Sequence, residues 1–291
     1  MEKLPIMHIK IKVERKSEMD LNKFFYELDE LLAKGKGEEA IAYIQGAMVE
    51  ARETKDTKAL IAIYNEAGGL CRDFSRYEDA ENYYTEALSL IIDMGAAGSE
   101  SHGTTLINYG TCLSNWQKYD EAIEMFGQAA AILAGLGMSN DYRMAALYNN
   151  ISWVYQEQGN LEDASEYLNR ALLLLNAVPD CEGEQAATYT NLANLYWEQG
   201  LLDEAKVTLI KAVDIYKEQP YLRSEGRYAA AIATLSNIYY SEEVYDKAAT
   251  LCEEAMKAIE AEFGQNDAYK VIEANLEECK VKMAEKGNSA N

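Results

Sequence analysis

Two alanines, seven residues apart, recur six times along this chain at nearly constant spacing. Successive first alanines are separated by 40, 42, 42, 41 and 43 residues. Small residues at fixed points let two helices approach closely, and a regular period of this length is typical of folds that stack one helical unit on the next. The pairs are Ala40 and Ala47, Ala80 and Ala87, Ala122 and Ala129, Ala164 and Ala171, Ala205 and Ala212, and Ala248 and Ala255. Six copies of one unit therefore indicate a fold in which similar helical units are stacked.

Each unit predicts two helices joined by a short turn. The residue twelve before the first alanine is small in five units and Leu28 in the other. Those small residues are Gly68, Gly110, Ser152, Ala193 and Ser236. Glycine, which adopts the left-handed conformation that ends helices, marks three turns, at Gly35, Gly159 and Gly200, and Ser75, Gln117 and Glu243 replace it in the others. With only three prolines in the chain to break helices, we predict an all-α fold.

The order small residue, aromatic, glycine-x-aromatic, alanine, large apolar residue, alanine resembles the tetratricopeptide repeat. The longer period here, in segments such as LYNNISWVYQEQGNLEDASEYLNRALLL, resembles the subclass seen in kinesin light chains and their bacterial relatives. The resemblance covers roughly residues 20 to 260. It implies a right-handed superhelical solenoid of six helix-turn-helix repeats plus a capping helix.

These patterns divide the chain into four parts. We predict an N-terminal basic arm over residues 1–19, with a possible short strand, and six repeats over residues 20–263. An amphipathic segment, with Ile272 and Leu276 on its apolar side, predicts a capping helix over residues 264–285. The polar residues 286–291 are predicted to form a flexible tail.

The first helix of each unit has a second strip of residues that the core does not use, and the family resemblance places this strip on the concave surface. Seven asparagines lie on it, although asparagine is a mediocre helix former. A side-chain amide offers a donor and an acceptor that match a peptide bond, and neighbouring aromatics could receive side chains. The predicted peptide-binding residues are Asn65, Asn108, Asn149, Asn150, Trp153, Asn191, Asn194, Trp197, Asn237 and Tyr240.

Two alternatives to ligand binding remain open for these residues. Asn150 and its equivalents could only bridge adjacent repeats through hydrogen bonds, and an amide held by its neighbour would also be preorganised for a ligand. Trp153 and Trp197 could be partly buried between repeats.

The net charge of the chain limits the classes of partner that it can bind. A formal net charge of −22 disfavours nucleic acid, which is bound by clustered Lys and Arg, and disfavours anionic membranes. On the predicted strip Arg72 is the only basic residue, and the acidic ones are Asp29, Glu66, Asp73, Glu157 and Glu198. We therefore expect a neutral or basic protein or peptide partner, and the strip lacks the Lys and Arg with which some relatives grip a C-terminal carboxylate.

The sequence is not expected to support catalysis or metal binding. The two histidines, His8 and His102, lack a second ligand at metal-binding spacing, and phosphate loops and nucleophile motifs are missing. We predict no cofactor, no metal and no enzyme activity. Five cysteines without a Cys-x-x-Cys pair, and an N-terminus too charged for a signal peptide, favour a cytoplasmic protein.

The leading functional hypothesis is an interaction scaffold or adaptor that binds an extended peptide or protein segment in the concave groove. One alternative is a receptor for a short signalling peptide that regulates a separate effector. A second alternative is a passive assembly subunit.

The basic arm could itself be a ligand. Residues 5–13 alternate apolar and polar side chains, which is a strand period, and Lys and Arg outnumber Glu in the first sixteen residues. The arm could pair with its copy in a homodimer or lie in the acidic groove. It could equally be a mobile tail or pack on the first repeat.

Deletion of residues 1–16 tests the arm as an interface or occupant. We expect the oligomeric mass to change or the affinity for peptide to rise, because an interface or an internal competitor has been removed. Sedimentation velocity and peptide titration measure the two effects, and the idea fails if both are unchanged.

Overall fold

The computed structural model describes residues 19–223 and 226–289, and these fold as two compact units divided after Lys118. The described residues are all helices and connections, which confirms the predicted all-α fold. The predicted arm lies outside the described residues except for Met19, whose backbone N–H donates to Asp56 Oδ2 at 3.1 Å.

Unit 1 contains five helices. They are α1 (Leu21–Ala33), α2 (Gly37–Thr54), α3 (Thr57–Asp73), α4 (Tyr77–Asp93) and α5 (Glu100–Asn115). Carboxylates begin two of them, because Asp20 and Asp56 each accept a hydrogen bond from a backbone N–H of the first turn.

Unit 2 contains eight helices and one short 3₁₀ turn (Pro220–Arg223). The helices are α6 (Tyr119–Gly135), α7 (Tyr142–Glu157), α8 (Leu161–Leu175), α9 (Glu182–Glu198), α10 (Leu202–Glu218), α11 (Arg227–Ser241), α12 (Tyr245–Phe263) and α13 (Asp267–Ser289). Within unit 2, α7 pairs with α8, α9 with α10, and α11 with α12.

The repeated alanines lie where paired helices are in contact. All twelve are buried, and none exposes more than 5% of its surface. In two repeats the small residue of the first helix also bonds to the second helix: Ser152 Oγ donates to the carbonyl oxygen of Ala164, and Ser236 Oγ to that of Ala248, each at 2.8 Å. Burial and a hydrogen bond thus hold the two helices together at one point.

The six turns adopt one conformation whatever residue they contain. Gly35, Gly159 and Gly200 have φ of 68°, 75° and 75°. Ser75, Gln117 and Glu243 have φ of 58°, 62° and 60°, although an L side chain disfavours this region. The turns therefore keep the left-handed conformation with or without glycine, which adopts it at the lowest steric cost.

The last helix extends further than the sequence predicts. Ile272, Leu276 and Cys279 are buried, as expected of a capping helix. However, α13 continues to Ser289, through the first part of the segment predicted as a flexible tail. Lys286 explains the extension, because its Nζ lies 3.0 Å from Glu243 Oε2 and also donates to the Glu243 carbonyl at 3.0 Å.

In residues 19–223 and 226–289, no helix is both long and apolar enough to cross a membrane. All five cysteines are free and buried. Burial raises the pKa of Cys112 and of Cys279 to about 11, so these thiols stay protonated at neutral pH.

Two neighbouring glycines in α3 provide a test of the close helix contact. A Cβ on Gly68 would lie 2.7 Å from the buried ring of Tyr84, whereas a Cβ on Gly69 would have only the Tyr84 hydroxyl at 3.9 Å. We expect Gly68→Ala to lower the free energy of unfolding by about 1–3 kcal/mol through overpacking. The control Gly69→Ala should raise it by about 0.5–1 kcal/mol, because alanine favours a helix.

Urea titrations followed by circular dichroism measure both changes. Equal changes in the free energy of unfolding would show that the contact between α3 and α4 can accommodate a methyl group at Gly68.

Candidate functional site

The first helices of three successive repeats, α7, α9 and α11, lie side by side in unit 2 and form an open groove. Two adjoining cavities make up this inner groove. The tryptophan pocket has a volume of about 480 Å³, and the alanine pocket has about 530 Å³. The tryptophan pocket is lined by Asn149, Ser152, Trp153, Gln156, Leu168, Asn191, Asn194, Trp197, Glu198, Thr234 and Asn237. The alanine pocket is lined by Ala146, Asn149, Asn150, Glu184, Ala187, Thr188, Thr190, Asn191, Asn194, Tyr216, Arg227 and Ala230.

Two asparagines of the inner groove bridge adjacent repeats. Asn149 Nδ2 donates to Thr188 Oγ1 at 2.9 Å and to the Ala145 carbonyl at 3.1 Å. Its Oδ1 accepts from Asn191 Nδ2 at 3.1 Å. Both N–H groups of the Asn149 amide and one acceptor position of its oxygen are therefore used within the protein, and these bonds fix the register of α7 against α9.

The same arrangement recurs in unit 1. Asn65 Nδ2 donates to Thr105 Oγ1 and to the Ile61 carbonyl, each at 3.0 Å. Asn65 Oδ1 accepts from Asn108 Nδ2 at 3.1 Å. Bridging between repeats, one of the two interpretations of the asparagine pattern, thus describes the contacts of Asn65, Asn108, Asn149 and Asn191.

Two other asparagines, Asn194 and Asn237, face the groove without this engagement. Asn194 and Asn237 both line the tryptophan pocket. In the described part of the chain, no residue hydrogen-bonds to either side chain. Asn150 lines the alanine pocket. The asparagines therefore fall into a bridging set and a groove-facing set, a distinction that residue type alone does not reveal.

The three predicted aromatic residues have different surroundings. Trp153 is 40% exposed, and Trp197 is half-buried against the core of the last two repeats. Both line the tryptophan pocket. Tyr240 lines neither cavity. Its hydroxyl donates to Glu278 Oε1 of α13 at 2.5 Å. That hydrogen bond raises the pKa of Tyr240 to about 12, so Tyr240 attaches the capping helix.

The two pockets differ in charge. Among the described residues, Glu198 is the only charged one that lines the tryptophan pocket, and its Oε1 accepts from Gln156 Nε2 at 2.7 Å. The alanine pocket contains one residue of each sign, Glu184 and Arg227. Neither Glu184 nor Arg227 was predicted as a site residue.

The floor of the alanine pocket could have been found from periodicity. Ala146, Ala187 and Ala230 lie three residues before Asn149, Thr190 and Ala233 respectively, a spacing that places each pair on the same helix face. Arg227 lies three residues before Ala230 on that face.

Within the described ranges, no group of three or more His, Cys, Asp or Glu side chains could hold a metal ion.

The paired helices and the groove define an α-helical repeat protein with an open groove on its first helices. A sequence profile described as Tetratricopeptide repeat matches residues 101–177 and 143–218, and a second profile with that description matches residues 228–269. The chain belongs to the tetratricopeptide-repeat family.

Relatives agree with the subclass that the long period predicts. Over 136 residues, 46% of its length, the chain is 26% identical to Protein KINESIN LIGHT CHAIN-RELATED 3 of Arabidopsis thaliana. The matched region is 21% of that relative, so the chain spans about a fifth of its length.

Solved structures share the fold. BtubC (BKLC) from P. vanneervenii has a TM-score of 0.65 at 21% identity, with 77% of this chain and 91% of that chain covered. The apo form of the quorum sensor NprR from B. thuringiensis has a TM-score of 0.62 at 15% identity, with 90% and 70% covered. NprR in complex with its cognate peptide NprX has a TM-score of 0.58 at 17% identity, with 89% and 74% covered.

Alanine substitution should separate bridging asparagines from groove-facing ones. We expect Asn149→Ala to lower the free energy of unfolding by about 1–3 kcal/mol, because Thr188 Oγ1 and Asn191 Nδ2 each lose a hydrogen bond. Asn194→Ala should be neutral or slightly stabilising, because alanine is the better helix former. Urea unfolding of the two single variants measures the difference, and equal destabilisation would contradict it.

Proposed function

We propose that this protein is an interaction scaffold or adaptor that binds an extended polypeptide segment in the inner groove of unit 2. One observation carries the proposal: Asn194 and Asn237 line an open cavity beside Trp153 and Trp197, and no described residue hydrogen-bonds to either amide. Polar side chains on successive parallel helices, with aromatics between them, match the alternating backbone and side-chain groups of an extended peptide.

The groove chemistry suits a peptide backbone. Each free amide can donate to a peptide carbonyl and accept from a peptide N–H, for roughly 1 kcal/mol net per hydrogen bond. The indoles of Trp153 and Trp197 offer apolar surface for side chains. The bridging bond of Asn149 to Asn191 holds the neighbouring helices in place, so the groove is preorganised.

The partner proposed here is neutral or basic. The formal net charge of −22 favours encounter with a positively charged segment, and the only charged group in the tryptophan pocket is the carboxylate of Glu198. Association should therefore slow as salt is added.

The family and the solved structures are consistent with an interaction role. The tetratricopeptide repeat is typically a non-enzymatic scaffold. NprR, which has this fold, is known in complex with its cognate peptide NprX. That complex supports the second candidate function, a receptor for a short signalling peptide, which would use the same groove.

A double substitution in the groove tests peptide binding. Asn194→Ala with Asn237→Ala removes both groove-facing amides, and Asn82→Ala with Asn169→Ala removes two exposed amides from α4 and α8. All three proteins are immobilised and exposed to native lysate, and captured proteins are compared by quantitative mass spectrometry. We expect one partner to be retained by the wild type and the control but reduced at least tenfold on the groove variant.

A partner held equally by the folded groove variant would show that the groove is not its binding site. Overlapping synthetic peptides of the partner, titrated calorimetrically, then separate the two candidates. An adaptor should bind an internal segment of a longer protein, whereas a receptor should bind a short free peptide that acid extraction releases from the purified complex.

A further inference from the structure

The tryptophan pocket has the electrostatics of a site for a cation. Its lining consists of amides, hydroxyls, two indoles, Leu168 and the single carboxylate of Glu198, without any Lys or Arg. Amides and hydroxyls carry no net charge, so the carboxylate dominates the potential inside the cavity. A positively charged ligand group is therefore favoured and an anionic one is opposed.

The carboxylate is held in place. Glu198 Oε1 accepts from Gln156 Nε2 at 2.7 Å, and this bond crosses from α7 to α9. A carboxylate has about four acceptor positions, so one bond leaves acceptor capacity on both oxygens. Gln156 orients the group without neutralising it.

The C-terminal ends of α7 and α9 add further negative charge near the pocket. Trp153 and Gln156 lie in the last two turns of α7, which ends at Glu157, and Trp197 and Glu198 close α9. The carbonyl end of a helix carries a partial negative charge that favours cations within its last turn. Both helices end beside the cavity, so this partial negative charge adds to the charge of Glu198.

The indole rings of the pocket have no cation of their own. In unit 1, Lys118 Nζ lies 3.5 Å from the ring centroid of Trp116. Across the described residues, no Lys or Arg lies over the ring of Trp153 or Trp197. Tryptophan is the best cation–π acceptor among the side chains, so both rings remain available to a cation from outside.

We infer that the tryptophan pocket is a subsite for an arginine side chain of the bound segment. Guanidinium is planar, so it can stack on an indole while its N–H groups donate to Glu198 and to the amides of Asn194 and Asn237. Lysine, a compact point charge, can use only part of this set. The inference rests on the proposed function and adds a specificity that peptide binding alone does not require.

The test uses the tryptophans as reporters. The chain has three, and Trp116→Phe leaves only the two that line the pocket. Capped GSAXASG peptides, with arginine, citrulline, leucine or glutamate at X, are titrated against this variant by intrinsic fluorescence. Citrulline has the shape of arginine without its charge.

We expect the arginine peptide to bind about tenfold more tightly than the citrulline peptide, a typical effect of a partly desolvated cation–π contact. Glu198→Gln and Trp153→Leu should each reduce this ratio at least threefold. Glu162→Gln, which removes an exposed carboxylate from the first turn of α8, should leave the ratio unchanged. Urea midpoints close to that of the parent confirm that each variant is folded.

Failure of the subsite can be told apart from failure of the groove. If the arginine and citrulline peptides bind equally, and both weaken in the Asn194→Ala, Asn237→Ala variant, the subsite is refuted while the groove remains a peptide site. If the arginine peptide gives no response at millimolar concentration, or binding ignores the groove substitutions, both proposals fail.

Discussion

The close contact between the two helices of a repeat, made by buried alanines and a small residue opposite, is the constraint on which the rest of the structure depends. Ala164 illustrates it, since Ser152 both fits against it and donates to its carbonyl oxygen. Because each pair closes in the same way, successive first helices in unit 2 meet side by side. The inner groove is a consequence of that contact, which lies behind it in the core.

Asparagine has two roles within one pattern. Asn149 makes two hydrogen bonds to α9, one through Nδ2 and one through Oδ1, and these hold α7 against α9. Asn194 and Asn237, on the same face of later helices, line the cavity. Ladders of polar residues in repeat proteins can therefore combine scaffolding and recognition, because amides that fix the helices also fix the spacing of amides left for a ligand.

Features that repeat at regular spacing could be predicted from the sequence, whereas side-chain contacts with the next repeat could not. The repeat phase, the buried alanines and the turns followed from regular spacing, and even Glu243 takes the left-handed conformation expected at its turn. Which asparagines bridge depends on a threonine of the next repeat, and the role of Tyr240 depends on Glu278, 38 residues further on. Such pairings follow from three-dimensional register, which no single helix pattern contains.

The contact of Tyr240 with Glu278 also shows how α13 joins the repeat before it. Gln156 reaches across to Glu198 of the next repeat in much the same way, from the equivalent position of its helix. In the terms of a one-dimensional lattice, α13 therefore repeats the nearest-neighbour contact that joins α7 to α9. One residue position thus carries the coupling between neighbouring units, whether the neighbour is a helix of a full repeat or the capping helix.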